Sequence, residues 1–246
     1  MTAISLEKIR KSFRNPDGGE GFTLGEISLA IESGTTAMIG GANGSGKSLL
    51  MSITAGLERP DSGKVTVTAP DGKPAKAGLV FQDADSQILG STPEEDVMFG
   101  LLNCGFTKRE AEIRTAEALR QVGLYGKRGL TARMLSGGEK RRLAVAAMTA
   151  MDRPVIILDE PYANLDYDGV RQVNSVIRML QEQKKTVIIL THETEKSLAL
   201  CGRLIILYRG KKVFDGTPED GLKQNLPQWG IRNPLASYSR KDDLAW

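Results

Sequence analysis

The stretch "TTAMIGGANGSGKSLL", residues 35–50, constrains this chain more than any other. A short apolar run ends in a glycine-rich loop, and helical spacing begins directly after it. That order of strand, loop and helix is the setting in which G-x-x-x-x-G-K-[ST] cradles phosphate. Here the motif runs from Gly41 to Ser48. Backbone N–H groups wrap the phosphates, and glycines remove the side chains that would obstruct them. Lys47 is expected to pair with the β- and γ-phosphates, and the Ser48 hydroxyl to bind Mg²⁺. The loop alone specifies only a nucleotide.

The flanking pattern sets the fold class. Residues 1–40 read as short strands with turns, "RNPDGGEG" being a turn-rich loop. After the glycine loop, Leu49, Leu50, Ile53 and Leu57 fall on one helical face. "RPDSGKVTV" reads as a turn into a strand, and "AGLVFQ" as a strand ending near Gln82. Residues 83–151 then turn helical. Thr92-Pro93-Glu94-Glu95, Thr107 with Glu110, and Ser136 with Glu139 each have the form of a capping box. The second leads a helix with Ile113, Ala116, Leu119 and Val122 on one face. From Pro154 the alternation resumes: strand "PVIILDE", a helix marked by Val170, Val173, Val176, Ile177 and Leu180, strand "TVIIL", a short helix, strand "RLIILYRG" and a last hairpin in "GKKVFDGTPED". Apolar strands alternating with helices imply an α/β fold with a mainly parallel sheet covered on both faces. The expected division is a nucleotide-binding core (1–82 and 152–220) with an N-terminal antiparallel β subdomain. A helical subdomain (83–151) is inserted, and a tail (221–246) without clear period follows.

Composition narrows the function. The 246 residues carry a net charge of only +3, and the basic clusters Lys140–Arg142, Lys184–Lys185 and Lys211–Lys212 are far apart in sequence. Solvated faces explain them better than nucleic-acid binding does. Two cysteines, Cys104 and Cys201, make no disulfide framework and are expected to be buried thiols. Runs such as "VIIL" are strand-sized and too short to cross a bilayer. Membrane contact is therefore expected only through a partner.

Several residue types fit chemistry on a nucleotide. Asp159 ends an apolar strand, where a carboxylate is costly unless something positive meets it; Mg²⁺ is the natural partner. Glu160 follows it, placed to polarise a water for attack on a γ-phosphate. Gln82 ends a strand and would reach Mg²⁺ or that water. His192 is the single histidine and follows "TVIIL". Phe13 lies upstream of the first strand pair. Taken alone, a surface glutamine, a structural histidine and a core aromatic are the commoner roles for these three.

Their order decides otherwise. Phe13, "GGANGSGKS", Gln82, "LSGGE", "VIILDEP", "NLD" and His192, over roughly residues 4–220, resemble the ABC transporter ATPase domain. The resemblance implies that Phe13 stacks on adenine and that Gly41, Ala42, Asn43, Gly44, Ser45, Gly46, Lys47, Ser48 and Leu49 hold ATP. It implies Mg²⁺ at Ser48, Gln82 and Asp159, and catalysis by Glu160, His192, Gln82 and Lys47. His192 would contact the γ-phosphate. Two such domains meet head to tail in that family, so Ser136, Gly137, Gly138, Glu139 and Asp166 would face the nucleotide of a second ATPase chain, identical or related. The stretch "VFQDADSQILGSTPEEDVMFGLLNCG" is similar to the ATPases of energy-coupling factor importers for cobalt, nickel or vitamins. That implies transmembrane partner subunits and a peripheral position on the cytoplasmic face of the membrane. Two departures stand out: Glu139 replaces the usual glutamine of the signature, and Tyr162 and Asn164 replace smaller residues. A Glu139 carboxylate near another chain's phosphates would repel them, so it is expected to cap its own helix. Three other readings remain open at this point: an ABC ATPase of another transporter class, a soluble ABC ATPase acting on DNA or ribosomes, and a non-catalytic nucleotide sensor.

Overall fold

Alternation of apolar and polar residues builds a first, small sheet. The computed structural model describes residues 1–13 and 21–236. Strands β1 (Thr2–Ser12), β2 (Thr23–Glu32) and β4 (Ser62–Val67) pair antiparallel in the order β2-β1-β4. In β2, Leu24, Ile27, Leu29 and Ile31 point inward and the residues between them outward. This is the pattern of a sheet with one face packed and one wet. The expected turn "RNPDGGEG" lies outside the described residues except for Gly21, as does the end of the tail from Ser237 to Trp246. Phe13 sits between β1 and β2, not upstream of both: its N–H donates to the Phe22 carbonyl at 2.9 Å.

The second sheet contains β3 (Thr36–Gly40), β5 (Ala77–Val80), β6 (Val155–Asp159), β7 (Thr186–Leu190), β8 (Arg203–Tyr208) and β9 (Lys211–Gly216), ordered β5-β6-β7-β3-β8-β9. Its pairs are parallel except the edge hairpin β8–β9. Every residue of β3 and β7 is buried, as two covered faces require. One face packs against the small sheet and helix α1 (Lys47–Thr54). The other packs against α4 (Gly137–Ala150) and α5 (Tyr167–Glu182), the latter through Val173, Val176, Ile177 and Leu180. A separate apolar cluster joins α2 (Pro93–Asn103), α3 (Lys108–Gln121) and α4 through Val97, Leu101, Leu119 and Leu143. After β7 the expected short helix is two single turns, Thr194–Lys196 and Leu198–Leu200. After β9 come α6 (Pro218–Leu222) and a turn at Leu226–Trp229.

Four further local expectations fail. Leu57 lies beyond the end of α1 and is exposed, because the helix stops at Thr54. Ile113 is exposed as well: α3 buries Ala111, Thr115, Ala118 and Leu119, a face rotated from the expected one. At α2 the Thr92 hydroxyl accepts the Glu95 N–H, but Glu95 returns to the N–H of Ser91 instead of Thr92, so the box is half made. Cys201 is buried while Cys104 is exposed. No described helix is long and apolar enough to cross a membrane.

Candidate functional site

Parallel strands end side by side, and the loops leaving those ends converge. Residues of β3 pair with β7, and β7 pairs with β6, so the loops holding Lys47, Glu160 and His192 emerge next to one another. Ligands of open α/β sheets bind at such carboxyl ends.

The chain tightens sharply as it leaves β3. Gly41 has φ +147°, and a Cβ there would lie 2.2 Å from the Leu207 carbonyl oxygen. Gly46 has φ +102° and begins α1 without a side-chain cap, so no side chain occupies the first N–H groups of that helix. Those groups and the helix dipole form an anion site. Lys47 is buried, and its ammonium donates to the carbonyls of Gly41 at 2.7 Å and Ala42 at 3.2 Å. Burial lowers its pKa from the ordinary lysine range, while Glu160 and Asp159 act in the opposite direction.

The carboxylates of β6 stand close by. Asp159 accepts the Ser48 hydroxyl at 3.1 Å, and burial raises its pKa despite that bond. A desolvated carboxylate beside a hydroxyl suits a hard divalent cation. Among the described residues no group of three acidic, histidine or cysteine side chains would hold a metal unaided. Further ligands at this place would have to come from other oxygens, such as the Gln82 side chain at the cavity wall, phosphate and water. Glu160 adopts φ +43°, a strained conformation for a non-glycine residue. Its Oε1 lies 3.1 Å from His192 Nδ1 and 3.9 Å from Lys47 Nζ. Its Oε2 is buried with no hydrogen-bond partner among the described residues. A buried orphan oxygen in a native fold calls for a partner such as water.

Lys47, Ser48 and Glu160 border a cavity of about 480 Å³ lined also by Phe13, Phe22, residues 43–46, Leu49 and Gln82, whereas Gly41, Ala42, Asp159 and His192 are not in its lining. Phe22 was not singled out in the sequence. Its ring lies beside Gly46, whose hypothetical Cβ would approach Phe22 Cζ to 3.0 Å. The signal available was a second aromatic just across the β1–β2 connection from Phe13.

The "LSGGE" residues and Asp166 do not line that cavity. Ser136 caps α4: its hydroxyl accepts the Glu139 N–H at 3.3 Å, and Glu139 accepts the Ser136 N–H at 3.0 Å. Glu139 also meets Lys127 at 2.6 Å, and that ammonium, with the Ser136 N–H, holds its carboxyl below the usual range. The carboxylate is thus turned onto its own chain, as the capping expectation has it. Gly137 and Gly138 are open: a Cβ at either would meet nothing within 4 Å. Asp166 caps α5 by accepting the Gly169 N–H at 2.8 Å. Tyr162 is wholly buried and donates to Asn174 at 2.7 Å; Asn174 in turn donates to the Lys196 carbonyl at 2.9 Å. Asn164 takes φ +58°, a conformation asparagine tolerates.

Comparison with known proteins agrees with this geometry. The family model described as "ABC transporter" matches residues 24–163. The energy-coupling factor transporter ATP-binding protein EcfA of Methanocaldococcus jannaschii is 38% identical over 251 residues, covering 94% of this chain and 88% of that protein. EcfA2 of Methanospirillum hungatei is 39% identical, but this chain spans only 56% of its length. The cobalt import ATP-binding protein CbiO of Rhodobacter capsulatus is 38% identical, with 86% of this chain and 80% of that protein covered. Among solved structures, CbiO1 of Clostridium perfringens, described as part of the transporter complex CbiONQ, superposes with a TM-score of 0.77 at 29% identity. The match covers 93% of this chain and 97% of that one. A dimeric post-hydrolysis ATP-binding cassette bound to ADP and Pi matches with a TM-score of 0.74 at 26% identity, covering 87% and 98%. With the family model covering more than half the chain, and relatives this similar over nearly its full length, the chain belongs to the ABC transporter family, among the ATP-binding proteins of the energy-coupling factor group.

Proposed function

We propose that this chain binds and hydrolyses ATP to power a membrane importer of the energy-coupling factor type, for a metal ion or a vitamin. The observation that carries the hydrolytic part is Glu160. One oxygen is steadied by His192 and lies near Lys47; the other is buried and free to accept a proton. In this reading the adenine stacks on Phe13, with Phe22 alongside. Lys47 exchanges its bonds to the loop carbonyls for the β- and γ-phosphates. Glu160 Oε2 accepts a hydrogen from a water, whose oxygen forms the new bond to the γ-phosphorus as the bond to the β-phosphate oxygen breaks. His192 orients Glu160 through Nδ1 and offers its half-exposed ring to the γ-phosphate. Ser48 and Asp159, with Gln82 at the cavity wall, would hold Mg²⁺, which when bound neutralises charge building on the phosphate oxygens.

Two partners belong to this reading. A second ATPase chain would present its Ser136–Gly138 loop to the phosphates bound at Lys47, with Asp166 at the same interface. A transmembrane subunit would dock a short helix in a largely apolar groove of about 620 Å³. That groove is bordered by Ile53, Leu57, Phe81, Gln87, Met148 and Met151, between the first helix of the core and the helical block. Methionine-lined surfaces adapt to a partner helix, the solved relative above belongs to a transporter complex, and no described helix of this chain is long and apolar enough to cross a membrane. The chain would then sit on the cytoplasmic face of the membrane through that partner.

The test has two arms. Purified chain should release phosphate steadily from MgATP. Cysteines placed at Leu57 or Gln87 should crosslink to a membrane subunit in detergent-solubilised membranes. Steady hydrolysis without any membrane partner would leave a soluble ATPase; absence of hydrolysis in the assembled complex would leave a sensor.

A further inference from the structure

The segment after α6 has no periodicity in sequence, yet two of its residues are as deeply buried as the sheet core. Leu226 and Ile231 are each 1% exposed and pack in the cluster that includes Leu204 and Ile206. Trp229 leans on Phe214 with ring centroids 6.5 Å apart. The Ile231 N–H donates to the Leu226 carbonyl at 3.2 Å, closing the segment into a compact loop. Such burial would serve stability alone if it met only the back of the sheet. It meets more than that.

Ile231 abuts Gly40, the last residue of β3: a Cβ at Gly40 would lie 3.3 Å from Ile231 Cδ1. Gly230 abuts Ala42 inside the phosphate loop: with φ +69°, its own hypothetical Cβ would lie 2.8 Å from Ala42 Cβ. Ala42 is one of the two residues whose carbonyls hold the Lys47 ammonium. On its other side the segment reaches the loop that carries His192. The buried Thr194 hydroxyl donates to the Arg232 carbonyl at 3.4 Å. One short stretch therefore touches both loops whose side chains converge on Glu160.

We propose that residues 226–232 brace the phosphate loop against the His192 loop, with Gly230 and Ile231 as positioning residues for Lys47 and His192. The inference rests on the nucleotide reading of those loops. The physical basis is rigidity: a packed core transmits small displacements instead of absorbing them. A methyl group at Gly230 has no room except by moving Ala42, and Ala42 moves the carbonyl that holds Lys47. Removing methyl groups from Ile231 leaves a void under Gly40, so the loop entry loses its support.

The full-length chain tests this with a fluorescent ATP analogue and Mg²⁺, reading dissociation constant and thermal midpoint together. Gly230→Ala should weaken binding roughly 10-fold, since small misplacements of binding groups have large effects. Ile231→Ala should weaken it several-fold and Ile231→Val about twofold, a series graded by the volume removed. Leu119→Ala, in the separate helical cluster, should lower the thermal midpoint and leave the dissociation constant unchanged. Wild-type affinity in both alanine variants at 230 and 231 would overturn the brace. So would an equal affinity loss in Leu119→Ala, which would make the effect one of global stability. If an alanine variant fails to fold, Ile231→Val decides, and unchanged affinity there overturns the proposal. Lys47→Ala separates the two layers. If it still binds the analogue, the reading of the phosphate loop fails; if it does not bind while Gly230→Ala binds normally, only the brace fails.

Discussion

The chain begins two of its helices with glycine loops, at Gly41–Ser48 and at Ser136–Glu139, and the two loops are glycine-rich for different reasons. In the first, the chain itself leaves no room: Gly41 faces the Leu207 carbonyl, and Gly46 faces Leu24 and Phe22. Positive φ at both adds a second requirement. In the second, Gly137 and Gly138 sit in helical backbone with open space where a side chain would go. Nothing within the described chain explains those glycines. The capping differs in the same sense. The first loop leaves its helix N-terminus without a side-chain cap, whereas Ser136 and Glu139 satisfy theirs reciprocally. The difference teaches that the first loop needs glycine for its own folding, while at the second the chain makes no such demand; in the function proposed above, those glycines keep the surface clear for a second chain.

The largest expected effect tests where the chemistry lies. Glu160→Gln should keep ATP binding through Lys47 and Ser48 and lower turnover by ~10²–10⁴, the range for removing a general base. Steady-state phosphate release beside equilibrium binding measures both, and near-normal turnover would take Glu160 out of the mechanism.

Next comes the shared site. Gly138→Asp should fold normally, because a Cβ there is unobstructed and a carboxylate suits a helix N-terminus. Facing a partner's phosphate ~4 Å away, it would oppose binding by about 4 kcal/mol at an effective dielectric of ~20. Neither Gly138→Asp nor Lys47→Ala should trap ATP as a homodimer. A mixture of the two, under non-hydrolysing conditions, should trap one ATP per dimer, because one of its sites is intact. Full trapping by monomeric Gly138→Asp would mean that the second loop serves no other chain. If the chain pairs only with a related ATPase, the second substitution goes into that partner.

Alanine at the two glycines contrasts them directly. Gly41→Ala combines strain of about 1–3 kcal/mol with overpacking of similar size, so its thermal midpoint should fall by many degrees or the protein should fail to fold. Gly138→Ala should change stability by about 0 to 1 kcal/mol in the favourable direction, alanine being the better helix former. Its effect should appear only in ATP-driven pairing. Equal destabilisation of both would erase the contrast.

The smallest effect concerns Glu139. Glu139→Gln should leave pairing and turnover nearly unchanged, because glutamine also completes a capping box. The stability change at neutral pH should be under about 1 kcal/mol, as for other partly exposed ion pairs. Its sign with pH follows from the lowered pKa. The carboxylate's contribution is present above the unfolded value of about 4.3 and is lost as pH falls through the lower folded value. Acid melts of wild type should therefore lose slightly more stability than those of the variant. A large gain in pairing affinity would instead mean that Glu139 faces the partner's phosphates.

Whatever depends on local order is legible in the amino-acid sequence. Strand, glycine loop and helix announce the phosphate site because the turn needs those residues at those spacings. Apolar runs alternating with amphipathic helices announce a covered parallel sheet. Ser136 and Glu139, three residues apart, announce a cap that forms within one turn of backbone. What depends on neighbours remote in sequence emerges once the elements have packed. Leu57 and Ile113 have the right hydrophobicity for a core but stay largely exposed, because no other element covers them. Gly41 looks like any loop glycine until the Leu207 carbonyl arrives beside it. Gly230 and Ile231 carry no pattern because their partners Ala42 and Gly40 lie nearly two hundred residues away. Phe22 and Phe13 become neighbours only once β1 and β2 have paired. Burial and positioning are properties of pairs of elements, and a single strand of text contains one member of each pair at a time.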